Sequence, residues 1–220
     1  MSRFPLGIMY GFGNVTTPLP GWLDKQGNEE SQSRINTRSW AIDVFPAQDY
    51  NLLLTALHLK AGRGERNESM RLGQIDFLRG QFDRFLAEDP DRNILIVGDL
   101  NATPDSLEIK TLLGDASLSN GFIDPLGPND LTHPANELQR RLDYILYNLN
   151  MAPEVVPNSV KPIYFFDRDK QDDTADHLPV IGYFYRNDRW MESDTALIAK
   201  LLVINLNNHL FNRAFSYARQ

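Results

Sequence analysis

The sequence predicts a single α/β domain dominated by strands, and three observations predict it. Short apolar runs rich in Ile, Val, Leu and Tyr recur along the 220 residues and are too brief for core helices. One longer stretch, 69–88, instead places Ile75, Leu78, Phe82 and Phe85 three and four residues apart, which is the spacing of one helical face. The composition, 42% hydrophobic and 23% charged, is that of a chain able to bury one sizeable core.

Taken in order, "RSWAIDVF" (38–45) and "NLLLTALHLK" (51–60) read as adjacent strands joined by "PAQDY". The helix over Ser69–Glu88 must stop before Pro90, whose ring cannot continue it. "NILIVGDL" (93–100) reads as a buried strand, and "DSLEIKTLLG" (105–114) as a short helix with Asp105 or Ser106 as cap and Gly114 beyond its end. A turn-rich stretch, 119–137, leads to the strands "RLDYILYN" (141–148) and "LPVIGYFY" (178–185). Beyond Asp194, residues Ala196, Leu197, Leu201 and Ile204 fall at helical intervals, so 187–220 is expected to be a helical extension that packs on a domain of residues 1–186 or on a partner. "GFGNVT" and "GRGERN" lack the third glycine of a dinucleotide fingerprint and read as turns.

The formal charge of -7 weighs against a broad basic footprint for nucleic acid, so any such contact would be local or helped by a cation. Lys60, Arg63, Arg66 and Arg71 in "HLKAGRGERNESMR" form a local basic patch, suited either to a phosphate backbone or to solvent. The absence of Cys excludes disulfides, thiolate catalysis and zinc-thiolate sites. No apolar run approaches the ~20 residues of a membrane span. "MSRFPLGIMYGFG" lacks the features of a signal peptide and reads like the middle of a fold.

Four stretches share a design in which an apolar strand begins or ends on polar residues suited to phosphate chemistry: "ALHLK", "VGDLNATP", "RRLDYIL" and "TADHLPV". Strand ends are rigid supports for reactive groups. Each residue alone also has a structural use. His58 can be a satisfied strand-end histidine, Asp99 and Asn101 an Asx turn, and Asp176 and His177 a strand cap. Asp143 is harder to place, because an acid inside an apolar strand needs a partner, and a His or Arg is expected beside it.

"HLKAG", "GDLNATP", "RRLDYIL" and "DHLPV", in that order, resemble the signature stretches of the endonuclease/exonuclease/phosphatase superfamily, and "SRFP" at 2–5 resembles a strand-edge motif of that family. The resemblance implies a two-sheet α/β sandwich with helices outside, and hydrolysis of phosphate esters with Mg²⁺ or Mn²⁺. It implies that Asp99 orients or deprotonates the attacking water and that Asn101 holds a phosphate oxygen. His177 would face the reacting phosphate with Asp143 fixing its tautomer, Asp176 would join Asp99 on the metal side, and His58 would assist the leaving group. If the pairing holds, the His177 pKa should be raised. Arg3, Lys60 and Arg71 are the candidate substrate cations. A hard cation suits an oxygen-rich donor set and lets an acidic protein receive an anion.

The resemblance also implies that the chain begins about a third of the way into the family fold, after an Asn and a metal-binding Glu. Glu29 and Glu30, in the polar stretch "DKQGNEESQS", read as solvated loop charges and not as that ligand. The expected function is a metal-dependent phosphodiesterase acting on nucleic acid. The alternatives are a lipid phosphodiesterase, a phosphomonoesterase or a non-catalytic binding module.

Overall fold

Period-two patterning at 40–58 folds as predicted in the computed structural model, which describes residues 2–33, 39–164, 175–185 and 198–203. The first strands are β1 (Leu6–Gly11), β2 (Thr16–Leu23), β3 (Glu29–Ser33), β4 (Trp40–Ala47) and β5 (Tyr50–His58). Helix α1 (Glu65–Glu88) then leads to β6 (Asn93–Asp99), α2 (Leu107–Leu113), β7 (Phe122–Ile123) and β8 (Asp143–Asn148). A 3-10 turn (Leu149–Glu154), β9 (Lys161–Pro162), β10 (Val180–Tyr185) and β11 (Ile198–Val203) complete the described chain.

A six-stranded sheet runs in the order β1-β4-β5-β6-β8-β7, and β9, β10 and β11 form a second sheet with β10 in the middle. In the larger sheet β5 and β6 are parallel, so α1 serves as their crossover, while the other pairs are antiparallel. Both faces of its centre are buried, which explains why "NILIV" is apolar at every step. Ile94 and Ile96 face Ile75, Leu78, Phe82 and Phe85 of α1, whereas Leu95 and Val97 join Ile145, Val180 and Phe184 on the side of the second sheet. The expected sandwich with helices outside is therefore present.

The caps follow the sequence. Ser106 accepts the Ile109 N–H in front of α2, and Gly114 turns the chain after it at φ 62°. α1 begins four residues earlier than expected, at Glu65, because "GERN" continues the helix instead of forming a loop.

Two expectations fail. "EESQS" is not a loop: it is β3, paired with β2, in which Glu29 is exposed as expected and Glu30 binds Arg66 at 2.6 Å. The β2–β3 hairpin is fastened to α1 where Ser69 donates to the Pro20 carbonyl (2.8 Å) and Gln32 to that of Met70 (2.7 Å). The helical reading of the tail is also wrong where the chain is described. Ile198–Val203 is a strand, antiparallel to β10 from Val180↔Val203 to Tyr185↔Ile198. "IAKLLV" is a short apolar run that fits either period, and a partner strand with free edge hydrogen-bonding groups decides it. Residues 204–220 lie outside the described residues. Among the described residues no helix is long and apolar enough to cross a membrane.

Candidate active site

One transverse row of the six-stranded sheet carries the polar residues. His58 closes β5, Asp99 closes β6 and Asp143 opens β8; the register sets His58 opposite Asp99 and Asp99 opposite Asp143. Neighbouring strands lie about 4.8 Å apart, so backbone pairing alone brings the three side chains together. Gly98 makes the close approach possible. At φ 132° it adopts backbone that L residues rarely reach, and a Cβ there would lie 2.0 Å from the Leu57 carbonyl oxygen.

The loop after β6 turns at once. The Asn101 N–H donates to Asp99 Oδ1 (2.8 Å), and its amide Nδ2 donates to Asp99 Oδ2 and to the Leu59 carbonyl, each at 3.2 Å. Asn101 sits at φ 50°, a left-handed value that Asn tolerates. The Asx turn and the functional reading are thus the same geometry: the turn fixes Asp99 at the mouth of the strand.

His177 comes from the segment before β10 and reaches Asp143 across the sheet end, with Nδ1 to Oδ2 at 2.7 Å. Both residues are buried. Thr132, fully buried, holds the two segments together. Its Oγ1 accepts the N–H groups of Leu142 (3.0 Å) and Asp143 (3.3 Å), and its carbonyl accepts the Leu178 N–H (2.8 Å). Ala135 N–H adds a bond to the Asp176 carbonyl (2.8 Å). His58 Nε2 lies 3.6 Å from Asp99 Oδ2.

Burial, then the neighbouring Asp143, push the Asp99 carboxyl up to about 7, with His177 opposing. Burial alone would lower His177. The hydrogen bond and charge of Asp143, with Asp99 and Asp176 behind it, win, and its pKa is raised as expected. Burial raises Asp143 while the bonded imidazole pulls it back, an arrangement that favours an imidazolium–carboxylate pair.

These groups open on a cleft of about 800 Å³ whose wall includes His58, Asp99, Asn101, His133, Asp176 and His177. Asp143 lies beneath, behind His177. Five of the sequence candidates, His58, Asp99, Asn101, Asp176 and His177, therefore share one rim, with Asp143 directly behind it. The three candidate cations do not join them as free charges. Arg3 is exposed and outside the cleft wall. Lys60 is also outside it, with Nζ on the Ala61 carbonyl at 2.8 Å. Arg71 reaches the wall but is 4% exposed, bound to Glu108 at 2.8 Å and to the carbonyls of Lys60 (3.1 Å) and Gly62 (2.9 Å). It braces the loop instead of offering a charge to solvent.

The sequence reading missed His133 and Arg140, both in the cleft wall. They lie in or beside a turn-rich stretch without periodicity. The available signal is their position at the two ends of a loop directly before the acid-bearing strand. His133 packs on His177 with ring centroids 4.4 Å apart.

The carboxylates fit a hard divalent cation. Asp99 is buried among acids that raise its proton affinity, a charge excess that a cation would relieve, and Asp176 is exposed on the same cleft. Donor atoms of Asp99, Asp143 and His177 lie within 4.8 Å of one another, as do those of His133, Asp176 and His177. His177 and Asp143 already bind each other, so Asp99 and Asp176 are the carboxylates of the cleft wall that would offer oxygen to a cation.

Comparison with known proteins bears on the fold and the family. The chain resembles the human nocturnin catalytic domain, solved with a bound sulfate anion, at TM-score 0.53 and 18% identity over 84% of this chain and 61% of that one. It also resembles the 3′ phosphatase NExo from Neisseria, solved with a product DNA hairpin, at TM-score 0.54 and 16% identity over 83% of this chain and 72% of that one. The chain thus spans less than two thirds of the nocturnin domain, and at these identities the likeness establishes the fold. No curated protein matches the sequence. The model of the Endonuclease/Exonuclease/phosphatase family matches residues 4–190, nearly the whole described chain, and the protein belongs to that family.

Proposed function

We propose that the protein is a metal-dependent phosphodiesterase acting on nucleic acid. The observation that carries this reading is the His58, Asp99, Asp143 register row with His177 closed onto Asp143. Phosphodiester hydrolysis needs a positioned water, neutralisation of the phosphate oxygens and help for the departing alkoxide. Asp99, ionised and oriented by Asn101, takes the proton of the attacking water. His177, kept charged by Asp143, donates from Nε2 to a phosphate oxygen, and Asn101 steadies the same group once its amide exchanges the 3.2 Å bond to the Leu59 carbonyl for the phosphate. His58, at the edge of Asp99, stands where a proton can be delivered to the leaving oxygen. Asp99 and Asp176 would hold a Mg²⁺ or Mn²⁺ ion, which when bound supplies charge neutralisation to the phosphate. The DNA hairpin bound by NExo favours nucleic acid over lipid as the substrate class.

The test is hydrolysis of bis-p-nitrophenyl phosphate and of a labelled oligonucleotide with Mg²⁺, with Mn²⁺ and with EDTA, alongside Asp99→Ala and His177→Ala. Metal-dependent turnover lost in both variants is the expected result. Turnover no higher than that of the variants under every condition overturns the enzyme reading in favour of a binding module.

A further inference from the structure

A second group of polar residues meets at the other side of His177 and is not used by the chemistry above. His133 and Arg140 face each other across a loop closed by two backbone bonds, His133 N–H to the Arg140 carbonyl and Arg140 N–H to the His133 carbonyl, both 2.9 Å. Their side chains also meet: Arg140 Nη2 lies 3.1 Å from His133 Nδ1.

A guanidinium has only donors and does not lose its proton in proteins, so His133 Nδ1 must accept. The ring proton therefore sits on Nε2. This argues against His133 as a metal ligand through Nε2, although its ring lies among Asp176 and His177, and makes it a fixed hydrogen-bond donor. The guanidinium itself has an unused donor, because Arg140 Nε is buried and makes no hydrogen bond. A buried polar group without a partner calls for an explanation. Arg63 adds a further charge. It lines the same cleft, its guanidinium makes no hydrogen bond among the described residues, and it acts electrostatically on His133 together with Arg140. Asp176 faces this group from the acid side. Asp99 and Asp143 thus meet His177 in one cluster, while Arg63, His133 and Arg140 lie in the part of the cleft where Asp176 comes within 4.8 Å of His133.

We propose that His133, Arg140 and Arg63 form an anion subsite that takes a phosphoryl oxygen through the Nε2–H of His133 and the guanidinium groups. The inference deepens the reading of the cleft as a phosphate-ester site and rests on it for the identity of the ligand. The shared chemistry is a phosphoryl group, either the reacting one or its neighbour along a polynucleotide.

Histidine ¹⁵N NMR of the full chain, with and without inorganic phosphate, tests the site independently of turnover. His133 is expected as the Nε2–H tautomer, with that resonance shifted by phosphate, and Arg140→Gln is expected to weaken phosphate binding roughly tenfold. In kinetics, His133→Phe keeps the ring contact with His177 and should raise KM about tenfold at nearly unchanged kcat. An equal rise for bis-p-nitrophenyl phosphate and for a 5′-phosphorylated dinucleotide assigns the subsite to the reacting phosphate. A rise for the dinucleotide alone assigns it to the neighbouring one. An Nδ1–H tautomer, or phosphate that leaves His133 unmoved, overturns the proposal. The NMR result on the unaltered protein stands even if His133→Phe folds poorly. If the protein hydrolyses nothing but phosphate still shifts His133, the enzyme reading fails and the subsite stands.

Discussion

His177 and Asp143, 34 positions apart in the chain, meet at 2.7 Å in a site where both are buried. The carboxylate fixes which ring nitrogen of His177 faces the cleft and supports its positive charge. Asp143→Asn removes the charge and leaves a side chain that can present the wrong group to Nδ1. We expect kcat to fall roughly 10²–10⁴-fold with little change in KM, read from diester hydrolysis.

Asp99 supplies the pH dependence. Its carboxyl is pushed up to about 7 by burial and by Asp143, so without a bound cation it is still largely protonated at pH 6. Cation affinity and activity should both rise with pH through about 7, visible in a Mn²⁺ titration at pH 6 and pH 8. Stability runs the other way. A carboxyl whose folded pKa is raised binds more protons folded than unfolded, so the metal-free protein loses stability as pH climbs from the ordinary Asp range toward 7.

The same strain makes Asp99→Asn a stabilising, inactivating change. Removing a buried charge that lies among other acids should raise the metal-free melting temperature at pH 8 by roughly 2–4 °C, the equivalent of about 1 kcal/mol in a chain of this size. A melting temperature lower than that of the unaltered protein would contradict the charge excess inferred for the cleft.

Gly98→Ala tests the backbone beneath the site. The new Cβ would collide with the Leu57 carbonyl at a φ of 132°, and strands β5 and β6 must part to admit it. We expect a loss of at least ~3 kcal/mol in denaturant unfolding, with activity falling because His58 and Asp99 separate.

Arg71 and Glu108 are both buried and pair at 2.8 Å. Arg71→Met leaves Glu108 without its partner and frees the loop carbonyls, at an expected cost of about 3–5 kcal/mol, whereas Arg71→Met with Glu108→Leu should recover much of it. Comparable losses in the single and double variants would mean that the loop bonds, not the ion pair, dominate.

Much of this was readable from residue order. Ile75, Leu78, Phe82 and Phe85 announced α1 because a one-sided helix must repeat its apolar positions, and "NILIV" announced a strand covered on both faces. Asp143 announced its partner because an apolar strand cannot keep a lone acid. What stayed hidden depends on contacts distant in sequence. β11 is a strand because β10 offers it an edge, and β3 is a strand because β2 and α1 hold it. Arg71 looked like a phosphate contact until Glu108 was seen against it, and His133 gained meaning only when folding set it on His177 and Arg140.

The ladder alignment of His58, Asp99 and Asp143 has an evolutionary corollary. Main-chain pairing holds the reactive trio, while Arg63, His133 and Arg140 hang from connections outside it. Exchanging residues 61–64 or 136–140 should therefore alter which molecules are admitted while leaving the His58, Asp99, Asp143 row and the Ala135 and His133 contacts to the Asp176–His177 segment in place. Descendants of such a scaffold could acquire new diets by editing two short loops.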